Sequence, residues 1–145
     1  MSIIEQKDKA IEFVTEILGK GNFARLSELV SDDFVYHDRG ESIEGAKNFK
    51  ESVESDQGIF SNIHYAIMGT ITEYGRAAIA YVVSATHDKD FRGIPATHKK
   101  FETNGVTIFH FDGNKIKAAW TIIDGLTPAL ELGVVKVLSA QAQVS

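Results

Sequence analysis

The sequence predicts an α+β fold, in which a curved antiparallel sheet wraps around N-terminal helices and leaves a pocket. Two observations support this prediction. Apolar residues recur at helical spacing in the first third of the chain, and most of the remainder alternates with the two-residue period of half-buried strands. A curved sheet that wraps over helices leaves a hollow at its open end, where we expect a small ligand to bind.

The helices are predicted mainly in the first third of the chain. An apolar stripe indicates a first helix over residues 4–18, which Gly19 ends. Asn22 can cap a short second helix. Residues 34–36 then indicate a brief strand, and a further apolar stripe indicates a third helix over residues 44–55.

The strands are predicted in the rest of the chain. Residues 63–71 alternate between the apolar and polar character expected of a half-buried strand. Three further segments have strand character: residues 77–87, 99–111 and 115–124. The last two are joined by Asp112-Gly113-Asn114, which strongly indicates a hairpin. Pro128 opens a final predicted helix over residues 128–140.

Length and composition restrict the organisation of the protein and its partners. A chain of 145 residues with ordinary apolar content is expected to form one domain over residues 1–145, with residues 141–145 as a frayed tail. The pI of about 5.5 disfavours nucleic acid as a partner. Residues 1–9 carry charged side chains and no long apolar run, so we expect no secretory signal there. No apolar run of the sequence approaches the roughly 18 residues that span a bilayer. We therefore expect no membrane association and a cytoplasmic location.

Several kinds of catalytic site are disfavoured. The chain has no cysteine, which excludes disulfides, thiolate nucleophiles and zinc–thiolate sites. Its five histidines are scattered and form no HxH or HxxxH pair, so no metal site is expected. The lack of GxSxG, P-loop and GxGxxG motifs disfavours serine nucleophiles and nucleotide hydrolysis.

Any proton chemistry must then rest on imidazole, carboxylate, phenol and hydroxyl groups. His37 follows the brief strand within Tyr36-His37-Asp38, and His87 ends a strand where a long loop begins. Asp124 follows the apolar residues 120–123. Two interpretations of Asp124 are open. Apolar surroundings would raise its pKa and make it a general acid or base, or it caps the C-terminal helix.

Four segments, taken in order along the chain, point to a known family. They are Phe34-Val35-Tyr36-His37-Asp38, Phe91-Arg92-Gly93-Ile94-Pro95-Ala96-Thr97, the hairpin at residues 106–116, and an ending with Trp120, Asp124 and Leu130-Glu131-Leu132-Gly133. Through these motifs the chain resembles the SnoaL-like polyketide cyclase family, within the nuclear transport factor 2-like superfamily. The resemblance extends over nearly the whole chain, from about residue 10 to residue 133.

The resemblance implies a cone-shaped α+β barrel with an enclosed apolar pocket, a homodimer formed through the sheet, and catalysis without a cofactor or a metal. Cyclases of this family close a polyketide ester by an intramolecular aldol reaction, in which an acid–base group takes a proton from an activated carbon. The family's histidine on the penultimate strand and its aspartate on the last strand align with Thr107 and Thr121. Counting outwards from the hairpin turn places these threonines opposite each other, where they could hydrogen-bond a ligand carbonyl but could not act as bases.

We therefore predict a SnoaL-like protein with one of three functions. The first is a cofactor-independent cyclase or isomerase that uses acid–base catalysis on a small apolar, polyketide-like carbonyl compound. The second is a non-catalytic module that binds a small hydrophobic molecule. The third is a dimeric interaction domain.

The residues expected to carry these functions fall into two groups. The catalytic candidates are Asp124, His37 and Tyr36, with Tyr36 as a donor to an oxyanion. The candidates for lining the pocket are Thr107, Thr121, Trp120, His87 and Phe109. Strict alternation places Asp124 on the face opposite Thr121, unless a bulge at residues 122–123 turns it inward.

Overall fold

The computed structural model describes residues 1–135 of the chain. The α-helices of this part are α1 (Ile3–Glu12), α2 (Leu26–Leu29), α3 (Ala46–Ile59) and α4 (Leu126–Glu131). Its strands are β1 (Val30–Asp38), β2 (Glu41–Glu44), β3 (Phe60–Glu73), β4 (Arg76–His87), β5 (Lys100–Asp112) and β6 (Lys115–Ile123). Residues 136–140 of the predicted last helix and the predicted frayed tail at residues 141–145 lie outside the described residues.

The N-terminal helix begins at a capping box. The Ser2 hydroxyl accepts the backbone N–H of Glu5, and the Glu5 carboxylate accepts the backbone N–H of Ser2. After α1 the chain continues as a π-helical segment, Phe13–Gly19, where the sequence predicts one unbroken α-helix. The buried residues of this segment include Phe13 and Ile17, which belong to the hydrophobic core.

The strands form one six-stranded sheet in the order β2-β1-β6-β5-β4-β3. Neighbouring strands pair antiparallel except β1 and β6, which are parallel. The predicted α+β class with a curved sheet over helices is confirmed. β1 is longer than the predicted brief strand, and β2 has no counterpart in the prediction. Because β1 and β6 run in the same direction, both end at one edge of the sheet.

A group of aromatic rings forms the centre of the core. The ring of Phe13 lies between 5.3 and 6.2 Å, centroid to centroid, from those of Phe34, Tyr36, Phe49 and Phe109. These rings come from the π-helical segment, from α3 and from two strands, so their contacts join the helices to the inner face of the sheet.

Two kinds of feature are not found within residues 1–135. The helices of this part of the chain are too short or too polar to cross a membrane. In the same residues, no group of three or more histidine, cysteine, aspartate or glutamate side chains is arranged to hold a metal ion.

Candidate functional site

A cavity with a volume of about 260 Å³ lies between the inner face of the sheet and the helices α3 and α4. Most of its wall is apolar and includes the rings of Phe60, Phe91 and Phe101. Helix α3 contributes one side of the wall through residues one turn apart: Ser52, Val53, Asp56 and Gln57. An apolar cavity with a few polar groups suits a small, largely apolar ligand.

Four buried hydroxyl groups form a hydrogen-bonded chain on the inner face of the sheet. The Tyr36 hydroxyl donates to Thr121 Oγ1 at 2.5 Å. Thr121 Oγ1 lies 2.9 Å from Thr107 Oγ1, which lies 2.8 Å from the Tyr81 hydroxyl. Thr107 and Thr121 are register partners, so their predicted opposition is confirmed. Burial raises the pKa of Tyr36 and of Tyr81, so both phenols keep their protons at neutral pH.

This chain of hydroxyls holds one more proton donor than it uses. Each hydroxyl supplies one O–H donor, and only three hydrogen bonds join the four groups. Tyr36 and Thr121 line the cavity. When Thr121 accepts from both Tyr36 and Thr107, its own O–H is not used in any of these three hydrogen bonds. It can therefore donate to an oxygen atom of a ligand.

A cluster of charged side chains lies beside these hydroxyls in the cavity wall. Arg39 Nη2 lies 3.3 Å from Asp38 Oδ2 and 3.8 Å from Asp56 Oδ2. Asp38 follows Tyr36 by two residues on β1, so the two side chains share a face, and Asp38 is the register partner of Thr121. The site thus places a carboxylate next to hydroxyl donors.

The two carboxyl groups of this cluster hold their protons more tightly than usual. The side chain of Asp38 is only 18% exposed, and that of Asp56 is 40% exposed. Burial raises the pKa of Asp38 and of Asp56, although the Arg39 guanidinium opposes the rise at both. A carboxyl group with a raised pKa in an apolar cavity is suited to accepting and returning a proton.

The turn between β1 and β2 orients Arg39. Arg39 and Gly40 have φ of 52° and 75°, the positive values of a two-residue type I′ hairpin turn. The Arg39 and Arg92 guanidinium groups lie 5.3 and 5.6 Å from the centroid of the Phe91 ring, and Arg92 pairs with Glu41 at 3.0 Å. These contacts hold the loop after β4 against the turn beside Asp38.

Asp124 lies in the cavity wall, but its carboxylate is hydrogen-bonded to the first residues of α4. Its Oδ1 accepts the backbone N–H of Leu126 at 3.0 Å and of Thr127 at 3.1 Å, and the Thr127 hydroxyl donates to Oδ2 at 2.5 Å. The hydrogen bonds from Thr127 and Leu126 lower the pKa of this exposed carboxyl. Asp124 therefore bonds the first backbone N–H groups of α4, in line with the second interpretation, and its pKa is lowered where the first interpretation predicted a raised pKa. No bulge occurs at residues 122–123, which pair in regular register with β5.

His37 and Trp120 lie on the outer face of the sheet. His37 follows Tyr36 on β1, so its side chain points away from the cavity. Its ring stacks on Trp120 with centroids 4.9 Å apart, and its Nδ1 lies 2.9 Å from Ser42 Oγ. Both rings line a shallow outer groove instead. The prediction that they serve the inner pocket is therefore corrected by strand alternation.

The remaining pocket candidates are all buried and differ in whether they reach the cavity wall. Phe109 is fully buried in the core against Phe13 and does not line the cavity, which corrects its prediction as a pocket residue. Thr107 is also absent from the wall and connects to it only through Thr121. His87 lines the cavity at the end of β4.

The sequence-based candidates do not include Asp38, Arg39 or Asp56. For Asp38 a signal was available, because the two-residue period places it on the same face as Tyr36. For Asp56 there was none, since the third helix was predicted to end at residue 55, whereas α3 extends to Ile59. The meeting of Asp56 with Arg39 depends on how α3 packs across the sheet.

Comparison with known families agrees with this fold. The family model described as SnoaL-like polyketide cyclase matches residues 8–132. The chain belongs to the SnoaL-like polyketide cyclase family. The resemblance carried by the four motifs is thus confirmed. Among curated proteins, none matches this SnoaL-like chain.

Solved structures of similar proteins share the fold. A candidate polyketide cyclase from Acidithiobacillus ferrooxidans has a TM-score of 0.79 and 27% identity, covering 94% of this chain and 100% of its own. A candidate SnoaL-like polyketide cyclase from Jannaschia sp. CCS1 has a TM-score of 0.84 and 14% identity, covering 94% and 97%. A candidate hydroxylase from Streptomyces galilaeus has a TM-score of 0.78 and 20% identity, covering 93% and 100%. The last two show the fold alone, which does not define a reaction.

Proposed function

We propose that this SnoaL-like protein is a cofactor-independent cyclase or isomerase that transfers a proton on a small apolar, polyketide-like carbonyl compound. Asp38 is the proton acceptor, and the Tyr36–Thr121 hydroxyl pair receives the carbonyl oxygen. The observation that supports this best is the placement of these three residues on one face of the sheet, in the wall of an apolar cavity. Neither Asp124 nor His37 takes part.

The environment of Asp38 suits a base that acts on carbon. Burial raises its pKa and so makes its carboxylate a stronger base than an exposed aspartate. Arg39, at 3.3 Å, limits this rise and favours the ionised form that accepts the proton. Asp56 shares the same guanidinium and keeps Arg39 in place from the side of α3.

In the proposed reaction the Asp38 carboxylate takes a proton from the carbon next to a carbonyl group. The electron pair of the C–H bond forms the C=C bond of an enolate, and the negative charge moves onto the carbonyl oxygen. This enolate oxygen accepts a hydrogen bond from the Thr121 hydroxyl. In a cyclase the enolate carbon attacks a second carbonyl carbon of the same molecule, and the new alkoxide takes the proton from Asp38. In an isomerase the proton returns to a different carbon.

Deuterium exchange tests this proton transfer without the natural substrate. 2-Tetralone, an apolar bicyclic ketone with acidic C–H bonds beside its carbonyl, is incubated with the protein in D₂O and followed by NMR. The wild type should accelerate exchange, and Asp38→Asn should slow it by about 10²- to 10⁴-fold. Asp33→Asn, at an exposed position of the same strand, is the matched control and should exchange as the wild type does. Equal rates for Asp38→Asn and the wild type would remove Asp38 from the mechanism.

A non-catalytic module that binds a hydrophobic ligand is the second candidate function. It is favoured by the threonines at positions 107 and 121, which replace the acid–base residues of the family's cyclases. The same experiment separates the two functions. A binding module would bind 2-tetralone in a calorimetric titration but would leave its deuterium exchange at the rate in buffer.

We also propose a homodimer formed through the outer face of the sheet. One row of register partners crosses this face: Ser42, His37, Trp120, Ile108, Ala78 and Ile71. Ile71 and Ile122 of this face are more than half exposed. Apolar side chains that are grouped on one surface favour association with a second, identical surface.

Sedimentation velocity tests the dimer. The wild type should sediment as a dimer at micromolar concentration, and Ile122→Glu should shift it toward the monomer because the charge would be buried at the interface. Lys50→Glu, on the exposed side of α3, is the control and should leave the dimer intact. A wild-type protein that stays monomeric would contradict the proposal.

A further inference from the structure

We propose that His87 donates a hydrogen bond from Nε2 to a carbonyl oxygen of the ligand, at the end of the cavity formed by the last residues of β4. This inference rests on the proposed function only in that the cavity takes an apolar carbonyl compound. It gives His87 a part in binding and none in the transfer of the proton.

Thr97 determines which ring nitrogen of His87 carries the proton. The Thr97 backbone N–H donates to His87 Nδ1 at 3.3 Å, and the Thr97 hydroxyl lies 3.1 Å from the same nitrogen. A ring nitrogen that accepts a backbone N–H carries no proton of its own, so the neutral imidazole is protonated at Nε2. The His87 backbone is held as well, by hydrogen bonds with Lys99 and His98.

The Nε2–H donor has no hydrogen-bond partner among residues 1–135. His87 is only 2% exposed, and it lines the cavity. A buried donor without an acceptor is unfavourable. A ligand oxygen that accepts this N–H therefore contributes more to affinity than it would by accepting an N–H that is exposed to water. Because Nε2 is closed to solvent, ligand binding requires a side chain beside it to move, and the Phe60 ring is a neighbour, with its centroid 5.8 Å from that of His87.

The rings around His87 indicate the body of the ligand. The Phe60 centroid lies 5.3 Å from that of Phe91 and 5.7 Å from that of Phe101, and all three rings line the cavity. Aromatic side chains in the cavity wall favour a ligand with a flat, unsaturated ring system. The single N–H donor of His87 at the end of the cavity favours an oxygen acceptor on that ligand. The ligand class is therefore a flat conjugated or ring-containing ketone, with one carbonyl oxygen toward His87.

A pair of probe molecules isolates this hydrogen bond. 2-Methyl-1,4-naphthoquinone and 2-methylnaphthalene share a two-ring body and differ in the carbonyl oxygens, and the chain has no cysteine to react with the quinone. His87→Phe, which keeps a buried ring and removes the donor, should weaken quinone binding by about 10-fold in calorimetric titrations. It should leave the affinity for the hydrocarbon unchanged. His87→Gln, whose amide N–H can replace Nε2–H, should restore most of the quinone affinity.

Two further measurements keep the test decisive if a variant folds poorly. His64→Phe, at an exposed position of β3 outside the cavity wall, is the control and should bind both probes as the wild type does. Nitrogen-15 NMR of the wild type should show the His87 proton on Nε2, with a signal that shifts on adding the quinone and not the hydrocarbon.

Three results would overturn the role of His87. They are a proton on Nδ1, an Nε2–H signal that does not respond to the quinone, or an equal loss of affinity for both probes in His87→Phe. Deuterium exchange that still depends on Asp38 would, in that case, leave the proposed function standing. If Asp38→Asn exchanges as fast as the wild type while the Nε2–H signal of His87 still responds to the quinone, the proposed function fails and the role of His87 stands.

Discussion

The ends of β1 and β6 lie side by side, and each carries an aspartate in a very different state. Asp38 is the last residue of β1, and Asp124 follows the last residue of β6. The parallel pairing of these strands brings both to the same edge of the sheet. Burial raises the pKa of Asp38, whereas hydrogen bonds from Thr127 and Leu126 lower the pKa of the exposed Asp124.

This difference shows that an apolar strand before an aspartate does not by itself produce a proton acceptor. Asp124 follows the more apolar run, but the first turn of α4 surrounds its carboxylate with donors that stabilise the charge. Asp38 has the Arg39 guanidinium on one side and the cavity on the other. The donors that face a carboxylate, together with its contact with water, decide whether it can accept a proton at a useful pH.

After that of Asp38→Asn, the largest expected effect concerns Thr121, which is aligned with Asp38 across the sheet and lies three residues before Asp124 in the chain. Thr121→Val should slow the deuterium exchange of 2-tetralone by about 10²-fold, because the enolate oxygen loses its donor. It should also cost about 1–3 kcal/mol in the free energy of unfolding, measured in urea, since buried Tyr36 loses its acceptor. Thr121→Ser should recover most of the exchange rate. A valine variant with wild-type exchange would show that the hydroxyl chain serves only stability.

A smaller effect concerns the pH dependence of exchange. Arg39 lowers the pKa of Asp38 and of Asp56 against the effect of burial, so Arg39→Met should raise the pKa of both. Exchange requires the ionised form of Asp38, so the rise of the rate with pH should occur at higher pH in this variant. Arg39→Lys keeps the charge and should move the profile less. An unchanged profile, or one moved to lower pH, would contradict the assignment of Asp38 as the base.

The smallest expected effect is on stability, and it has opposite signs at the two aspartates. The pKa of Asp38 is raised by folding, so its contribution to stability is full below the pKa of the unfolded chain and is lost as the pH rises through the folded pKa. The pKa of Asp124 is lowered, so its contribution is present above the unfolded pKa and is lost as the pH falls through the folded pKa. At neutral pH, Asp38→Asn should therefore keep or raise Tm, and Asp124→Asn should lower it slightly.

Thermal unfolding of the two variants checks this contrast. In acid, both should approach the Tm of the wild type, because the carboxyl groups are then neutral in all three proteins. If Tm changes in the same direction in both variants at neutral pH, the two aspartates do not differ as their contacts indicate. Asp33→Asn again serves as the exposed control on β1.

Much of the fold could be predicted because periodicity records which side of each element is buried. The hairpin of β5 and β6, and the opposition of Thr107 and Thr121, follow from counting outwards from the turn. The same alternation separates Tyr36 and Asp38 on the inner face from His37 on the outer face. The placement of His37 in the pocket was therefore an error that the sequence could have corrected.

The sequence by itself determined the α+β class, the family, and the alternation that separates Tyr36 and Asp38 from His37. Only the tertiary structure decided that β1 pairs in parallel with β6, that Asp56 meets Arg39, and that α4 occupies the carboxylate of Asp124. The reason is physical. The pattern within a strand reflects its own burial, whereas the pKa of a carboxyl depends on donors, charges and desolvation that come from other parts of the chain.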